Sequence, residues 1–313
     1  MQENTGTQLT DLTVISRNTD YTVYELTFER DGMMIYGELF YPDQKSPTAT
    51  VIIGHGFGET YQSTEDDAEA FATAGIAAYV FDFCGGSPYS SSDGSMTEMS
   101  VLTERDDMEA VLDGLCSCTF VDAENIFLMG ESQGGFVAAL LAAKRPEDVR
   151  GLVLFYPALV IPDNARAQFD SADDVPETSR VFGMTVGRNY YTDILAMDPF
   201  AEISVYTGDV LIVHGDQDSI VPISYSSQAA EAYPSAELVT ISGGGHGFYG
   251  TQLEMACADA VDFVVRHELS EQSVFSVSEV PEANIIGSSA CRLSCCAGLA
   301  SVAVLTVAQF QRD

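Results

Sequence analysis

The chain has 313 residues, 46% of them hydrophobic and 19% charged, which is enough to bury one large core and excludes a coiled-coil, collagen-like or largely disordered protein. Aspartate and glutamate number 47 against 13 lysines and arginines, which gives a formal net charge of −34. So acidic a surface repels nucleic acid and anionic membranes, and it favours small neutral substrates over polyanionic ones.

The amino-terminal segment MQENTGTQLTDL has no basic start and no apolar stretch, which predicts no secretory signal and a cytoplasmic location. Residues 11–42 alternate apolar and polar side chains, a pattern that indicates antiparallel strands. The pair Asp31-Gly32 within this segment is typical of a tight hairpin turn.

From residue 48 onwards, short apolar segments alternate with segments of helical periodicity. Strands are predicted at 48–56, 76–83, 125–130, 148–157, 209–215 and 236–243, and helices at 63–75, 97–115 and 134–146, with a last helix that ends near His267. Thr97 is the predicted N-cap of the second helix. This alternation predicts an α/β protein with a mainly parallel sheet that is covered on both faces.

Two segments break the alternation. Residues 158–208 contain several prolines and polar runs, and we interpret them as an insertion that caps the active-site mouth, with a long one-helix crossover as the alternative. Residues 270–313 are interpreted as a tail of unknown role that follows a catalytic domain at 1–269. Within the tail, 293–310 is uncharged but only weakly hydrophobic, which favours a flexible tail, a packed helix or an oligomer contact over a membrane span.

The segment Gly130-Glu131-Ser132-Gln133-Gly134 follows a predicted strand and precedes a predicted helix. A serine in such a sharp turn needs small residues two positions before and after it, which Gly130 and Gly134 provide. The free N–H groups of the helix amino terminus favour negative charge that develops on a substrate. Ser132 is therefore the predicted nucleophile, and a tight turn with an idle serine is the alternative.

A serine nucleophile needs a base, and the chain has four histidines. His55 and His214 lie at or just after the ends of predicted strands, and His267 lies near the end of the last helix. His246 lies in a glycine-rich loop between the last strand and the last helix, where the chain order Ser…Asp…His places the base. We therefore predict that His246 is the base.

The acid is expected between these two residues, after a strand, where the segment HGDQDSIVP offers Asp216 and Asp218. The pattern His-Gly-x-x-Asp-x-x-Val-Pro favours Asp218, and Asp216 is the alternative acid or a residue that caps the turn. The chosen carboxylate would fix the tautomer of the imidazole and stabilise its charged form.

The segment His55-Gly56-Phe57-Gly58 follows the strand at 48–56, and its glycines let the backbone approach a substrate carbonyl. With a nucleophile elbow, one oxyanion N–H comes from the residue after the serine, here Gln133. The second comes from a loop of this kind, and Phe57 is the predicted donor. An ordinary glycine turn is the alternative.

Together, HGFGE, DFCGGS, GESQGG, HGDQDSIVP and GGGHGF resemble the α/β-hydrolase superfamily of serine esterases, and within it the bacterial cinnamoyl and feruloyl esterases. The resemblance implies the α/β-hydrolase fold, with an eight-stranded, mostly parallel sheet and a cap insertion after the sixth strand. It also implies the triad Ser132, Asp218 and His246 and the oxyanion donors Phe57 and Gln133. Position 131 departs from the pattern, because it is Glu where many of these esterases carry His.

The resemblance further implies that polar residues of the cap contact the phenolic hydroxyls of the substrate, and Asp163 and Gln168 are the candidate counterparts. It implies hydrolysis of hydroxycinnamoyl esters through an acyl-enzyme, without a metal or an organic cofactor. The alternatives are a general short-chain carboxylesterase, a small serine peptidase or amidase, and an inactive binding protein on the same fold. The expected partner is a small-molecule ester, with neither nucleic acid nor membrane, and a homodimer is left open.

Overall fold

A computed structural model describes residues 6–43 and 47–269. Their strands are β1 Thr13–Arg17, β2 Tyr21–Glu25, β3 Phe28–Arg30, β4 Met33–Ile35, β5 Gly37–Pro42, β6 Thr48–Gly54, β7 Ala77–Phe81, β8 Val121–Glu131, β9 Gly151–Phe155, β10 Thr178–Val181, β11 Met184–Gly187, β12 Asp209–Gly215 and β13 Ala236–Ile241. Their α-helices are α1 Glu65–Thr73, α2 Val101–Cys116, α3 Gln133–Lys144, α4 Ile161–Gln168, α5 Asn189–Thr192, α6 Pro199–Ile203, α7 Ile223–Ala232 and α8 Thr251–His267.

One compact unit of the chain extends to Leu269. The predicted tail, including the uncharged stretch at 293–310, lies outside the described residues, so the division into a catalytic domain and a tail stays a prediction. Among the described helices, none combines the length and the apolar character that a membrane crossing requires.

One sheet contains nine of the described strands, in the order β1-β2-β5-β7-β6-β8-β9-β12-β13. The strands from β7 to β13 in this order are parallel neighbours, whereas β1, β2, β5 and β7 pair antiparallel. The antiparallel opening and the mainly parallel sheet are therefore confirmed. The described sheet has nine strands rather than the expected eight, because β1 continues the pairing beyond β2.

Two local predictions have different outcomes. The turn at Asp31-Gly32 joins β3 to β4 as an antiparallel hairpin, and both turn residues have the positive φ that such a turn requires, 52° and 82°.

The predicted helix cap Thr97 is wrong, since α2 begins after Ser100. The Ser100 hydroxyl accepts the Thr103 N–H, and the Thr103 hydroxyl accepts the Ser100 N–H, so this pair satisfies two amides at the helix start.

The core lies on both faces of the sheet. Along β6, Ile52 belongs to one apolar cluster, while Val51 and Ile53 belong to the other, as the two-residue period of a strand requires. Side chains of α2 and α3 complete the first cluster, and side chains of α1 and α8 complete the second. The parallel strands are thus buried on both sides, and their carboxyl ends share one edge of the sheet, where loops can converge.

Residues 156–208 leave the sheet between β9 and β12. They contain α4, the antiparallel hairpin β10–β11, α5 and α6, so the alternative of a crossover with one helix is wrong. The helix α5 is tied to the start of α2, since Asn189 Nδ2 donates to the carbonyl oxygens of Glu98 and Met99 at 2.8 and 3.1 Å. Ser100 Oγ also donates to Asp193 Oδ2 at 2.6 Å. We refer to residues 156–208 as the insertion.

Candidate active site

Ser132 occupies the sharp turn between β8 and α3. Its φ of 51° and ψ of −114° lie in a region that is costly for a residue with a Cβ. The turn also depends on glycine, because a Cβ on Gly130 would lie 2.2 Å from the carbonyl oxygen of Gly134. A Cβ on Gly134 would in turn lie 2.2 Å from the carbonyl oxygen of Gly54. The glycine spacing around Ser132 therefore has a steric cause.

Three side chains from separate loops form one hydrogen-bonded chain. His246 Nε2 lies 2.9 Å from Ser132 Oγ, and His246 Nδ1 lies 2.7 Å from Asp218 Oδ2. A carboxylate only accepts hydrogen bonds, so Nδ1 carries the proton and Nε2 is free to accept from the serine hydroxyl. The other carboxylate oxygen, Asp218 Oδ1, accepts the N–H groups of Ile220 and Val221 at 2.8 and 2.9 Å.

The alternative acid, Asp216, lies in the same loop but makes different contacts. Its Oδ1 accepts the Gly243 N–H at 2.7 Å and the Gln217 side-chain amide at 3.3 Å. These bonds hold the turn after β12 against the glycine loop that carries His246. The structure thus brings Asp218, and not Asp216, to the imidazole.

A second histidine is buried beside Asp218. His214 Nε2 lies 3.0 Å from the Val221 carbonyl oxygen and 3.2 Å from Asp218 Oδ2, and its Nδ1 lies 2.6 Å from Ser226 Oγ. Burial lowers the pKa of His214, so its neutral imidazole donates from Nε2 and accepts the Ser226 hydroxyl at Nδ1. His214 thus contacts the same carboxylate oxygen of Asp218 as His246 does, and no sequence pattern indicates this contact.

His55 braces the loop that contains Phe57. Its Nδ1 lies 2.8 Å from the Gly56 carbonyl oxygen, and its Nε2 accepts the Phe83 N–H at 3.3 Å. Burial lowers the pKa of His55, which fits a neutral ring with one donor and one acceptor. Both nitrogens are engaged with the backbone, so His55 supports the loop and does not reach Ser132.

The two expected oxyanion donors lie close to Ser132 in the structure. A Cβ on Gly56 would lie 3.5 Å from Ser132 Cβ, which places the loop of Phe57 beside the serine. Gln133 is the first residue of α3, where a helix leaves its N–H groups without an intrahelical partner. Within the described residues, neither the Phe57 N–H nor the Gln133 N–H donates to a backbone acceptor outside regular elements. The oxyanion role of both amides stays a prediction.

Ser132 and His246 line a cavity of about 760 Å³, a size typical of small-molecule sites. Its aromatic lining includes Phe57 and three residues of the insertion, Phe182, Tyr190 and Tyr191. Its acidic lining comes from outside the insertion and includes Glu59, Asp66 and Glu131. The cavity thus joins an apolar, aromatic surface to polar groups at the serine.

Comparison with solved structures identifies the architecture. Est1E from Butyrivibrio proteoclasticus with bound ferulic acid superposes with a TM-score of 0.71 at 27% sequence identity, covering 77% of this chain and 98% of that chain. The chain has the α/β-hydrolase fold. A monoacylglycerol lipase from Paleococcus ferrophilus shares this fold with a TM-score of 0.62 at 20% identity, covering 75% of this chain and 99% of that chain.

Sequence comparisons find similarity to serine peptidase and lipase sequences. A family model described as serine aminopeptidase S33 matches residues 45–199, and one described as TAP-like protein matches residues 197–270. Human monoglyceride lipase is 29% identical over 141 residues, which cover 43% of this chain and 43% of the relative. A monoacylglycerol lipase of Mycolicibacterium smegmatis is 24% identical over 188 residues, which cover 59% of this chain and 63% of the relative. The match thus spans less than two thirds of either relative.

The two cap residues expected to contact the substrate lie in different surroundings. Gln168 lines the cavity. Asp163 does not line it, because its carboxylate pairs with Arg166 at 2.7 Å and accepts the Tyr225 hydroxyl at 2.5 Å. Both residues lie on α4, but Asp163 contacts Tyr225 of α7, so its role as a direct substrate contact stays a prediction.

Glu131, the departure from the esterase pattern, is buried directly before the serine. Burial, followed by the neighbouring Asp67, raises the pKa of Glu131 well above its usual range, which favours the protonated carboxyl. It shares a hydrogen bond with Tyr156, whose ring packs edge-on against His246 with centroids 5.0 Å apart. Tyr156 has a φ of 38°, which is strained for a bulky residue. A protonated Glu131 would keep a negative charge away from the site where the oxyanion would form.

Glu104 of α2 gives a pH-dependent stability that can be measured. Burial raises its pKa to about 8, although its Oε2 accepts the Gln133 side-chain amide at 2.7 Å. A carboxyl whose pKa is raised on folding stabilises the protein below its unfolded pKa and loses this contribution as the pH rises through the folded pKa. We expect Glu104→Gln to match wild type near pH 4.5 and to exceed its unfolding free energy by about 2–4 kcal/mol at pH 9.

Urea unfolding between these pH values measures that difference. Glu109→Gln is the matched control on the same helix, because Glu109 is partly exposed and pairs with Lys144 at 2.6 Å. Its difference from wild type should change much less with pH than that of Glu104→Gln, because the Glu109 side chain is partly exposed to water. A Glu104→Gln difference that is equally flat would contradict the buried, protonated state of Glu104.

Proposed function

We propose that the protein is a serine carboxylic-ester hydrolase that acts through an acyl-enzyme, with hydroxycinnamoyl esters as its substrates. The observation that carries this proposal is the hydrogen-bonded chain Ser132–His246–Asp218 in an aromatic-lined cavity. We also propose that the protein is cytoplasmic and that it binds neither nucleic acid nor membranes. The net charge of −34 supports the absence of these two kinds of partner.

In the acylation step, His246 Nε2 takes the proton of Ser132 Oγ while the oxygen attacks the ester carbonyl carbon. The carbonyl oxygen becomes an oxyanion, which the N–H groups of Phe57 and Gln133 stabilise. Asp218 stabilises the imidazolium that forms. When the tetrahedral intermediate collapses, the carbon–oxygen bond to the alcohol breaks, and the alcohol leaves with the proton from His246.

In the deacylation step, a water molecule gives its proton to His246 Nε2 and attacks the acyl carbon. The same two N–H groups stabilise the second oxyanion. The bond to Ser132 Oγ then breaks, the carboxylic acid leaves, and the serine recovers its proton from His246. Every proton transfer uses the same nitrogen, so the chain of hydrogen bonds is sufficient for the full cycle.

The aromatic lining supports a phenolic acyl group. Aromatic rings stack or pack edge-to-face at centroid distances of about 4.5–7 Å, and Phe57, Phe182, Tyr190 and Tyr191 offer such surfaces around the cavity. Gln168 supplies a polar group in the same lining. The likeness to Est1E, whose structure contains ferulic acid, adds a second line of support at 27% identity.

A second candidate substrate is an ester of glycerol with one acyl chain. Two curated relatives that match the sequence are monoacylglycerol lipases, and the carboxylates Glu59 and Asp66 in the cavity lining could accept hydrogen bonds from glycerol hydroxyls. A general short-chain carboxylesterase is a third candidate function. A small serine peptidase or amidase is a fourth, in keeping with the aminopeptidase name of the family model that matches residues 45–199.

The test compares kcat/KM for methyl ferulate, p-nitrophenyl butyrate and 1-monooleoylglycerol, with Ser132→Ala as the blank. We expect methyl ferulate to react at least as well as the activated butyrate, because ring stacking in the cavity would offset its poorer leaving group. Phe182→Ala should lower kcat/KM for methyl ferulate more than for butyrate, by about tenfold, since Phe182 is an exposed aromatic residue of the insertion in the cavity lining.

The remaining outcomes distinguish the candidate functions. Turnover of butyrate alone would indicate a general carboxylesterase, and preferred turnover of the monoacylglycerol would indicate the glycerol ester as substrate. If wild type hydrolyses none of these esters and a fluorophosphonate does not label Ser132, the protein is an inactive binding protein on this fold.

A further inference from the structure

The side chain of Gln133 is buried and fully hydrogen-bonded. Its Nε2 donates to Glu104 Oε2 at 2.7 Å, and its Oε1 accepts the hydroxyl of Tyr190 at 2.9 Å. All three residues are at least 96% buried, so these bonds are made away from water. The residue whose backbone N–H would hold the substrate oxygen is therefore held through its own side chain by two hydrogen bonds.

Tyr190 also contacts the other expected oxyanion donor. Its ring packs edge-on against Phe57, with ring centroids 5.5 Å apart and an interplanar angle of 62°. Such a geometry is favourable for aromatic pairs. One side chain of the insertion thus contacts both residues whose N–H groups would hold the oxyanion, one by a hydrogen bond and one by ring packing.

The position of Tyr190 is itself fixed. It lies on the short helix α5, which Asn189 and Asp193 tie to the start of α2 on either side of the tyrosine. The ring of Tyr191 packs perpendicular to that of Tyr190 at 5.3 Å. Groups that stabilise a transition state must be held close to their productive geometry by such surrounding contacts.

We propose that Tyr190 is a positioning residue for the oxyanion hole, and that the insertion completes the hole through it. The hydroxyl orients Gln133 at the start of α3, and the ring sets the distance of the Phe57 loop from Ser132. The insertion therefore acts on the rate of the chemical step as well as on the choice of substrate. This inference rests on the proposed serine hydrolase function.

The test is Tyr190→Phe, which keeps the ring against Phe57 and removes only the hydroxyl bond to Gln133. Loss of a whole oxyanion donor lowers kcat by about 10²–10³-fold. A donor that is present but less well held should lower kcat by about 5- to 30-fold, with KM within about twofold of wild type. Steady-state kinetics with p-nitrophenyl butyrate measure both constants, and this substrate does not depend on phenolic recognition.

Tyr206→Phe is the matched control. Tyr206 is another fully buried tyrosine of the insertion, and its hydroxyl donates to the Val149 carbonyl oxygen at 3.0 Å, outside the cavity lining. Both variants lose one buried hydroxyl bond, so both should lower the melting temperature by a similar amount. Only Tyr190→Phe should lower kcat, which separates positioning from a general loss of stability.

A double-mutant cycle locates the effect at Gln133. Gln133→Met keeps the backbone N–H and removes both side-chain bonds, so it should lower kcat by itself. If Tyr190 acts through Gln133, the double variant Tyr190→Phe/Gln133→Met should be no slower than Gln133→Met alone. Multiplicative losses, an unchanged kcat in Tyr190→Phe, or a change in KM alone would each overturn the inference.

A fluorophosphonate separates this inference from the proposed function. Its phosphoryl oxygen would occupy the oxyanion hole when Ser132 is labelled, so Tyr190→Phe should be labelled more slowly than wild type by the same factor as for kcat. If wild type is labelled and the variant reacts equally fast, only the positioning role fails. If wild type is not labelled at all, both proposals fail.

Discussion

Replacement of Ser132 by alanine should lower kcat for any ester substrate by at least about 10⁴-fold, because the remaining groups lack a nucleophile. Ser132→Gly should lose activity to the same extent. The two variants should differ in stability, since position 132 has a φ of 51°, where a Cβ is costly and glycine is not. We expect the glycine variant to be more stable than the alanine variant by about 1 kcal/mol.

Initial rates with p-nitrophenyl butyrate and urea unfolding measure the two effects on the same preparations. A fluorophosphonate should label wild type once per chain and neither variant. Residual activity above about 1% of wild type in both variants would mean that another group attacks the ester. Equal stability of the two variants would instead contradict the strain at the turn, without affecting the assignment of the nucleophile.

The sequence predicts those parts of the site that depend on local geometry. The elbow is recognisable because Gly130 and Gly134 are sterically required at fixed distances from Ser132 along the chain. His246 and Asp218 are recognisable because the topology of the sheet fixes the order in which loops reach the same edge. The buried parallel strands have continuous apolar sequences, and this is why the sheet itself is predictable.

The remaining elements depend on contacts that are distant in sequence. The sequence ISYSSQAAEA of α7 has little apolar periodicity, so it does not predict a helix whose burial depends on β12 and β13. Glu104 has the sequence context of an ordinary helical charge, yet it is buried against Gln133. Tyr190 carries no sequence signal for a similar reason: its partners Gln133 and Phe57 lie more than fifty positions away in the chain.

Replacement of Asp218 by asparagine should lower kcat by about 10³–10⁴-fold while the protein stays folded. The side-chain oxygen of the new asparagine can still accept the N–H groups of Ile220 and Val221, as Asp218 Oδ1 does now. The amide nitrogen then faces His246 Nδ1, and two donors cannot pair. The imidazole is expected to keep Nδ1 unprotonated and to carry its proton on Nε2, where it can no longer take the proton of Ser132.

Asp216→Asn is the matched control, because the substitution is the same and the residue lies two positions away in the same loop. Its oxygen still accepts the Gly243 N–H, so kcat should stay within about twofold of wild type. A large loss in Asp216→Asn together with a small loss in Asp218→Asn would make Asp216 the acid. Equal losses would show that the turn between β12 and the glycine loop, rather than either carboxylate, controls the position of His246. The expected asymmetry follows from the 2.7 Å contact between His246 Nδ1 and Asp218 Oδ2, since that contact alone sets the tautomer.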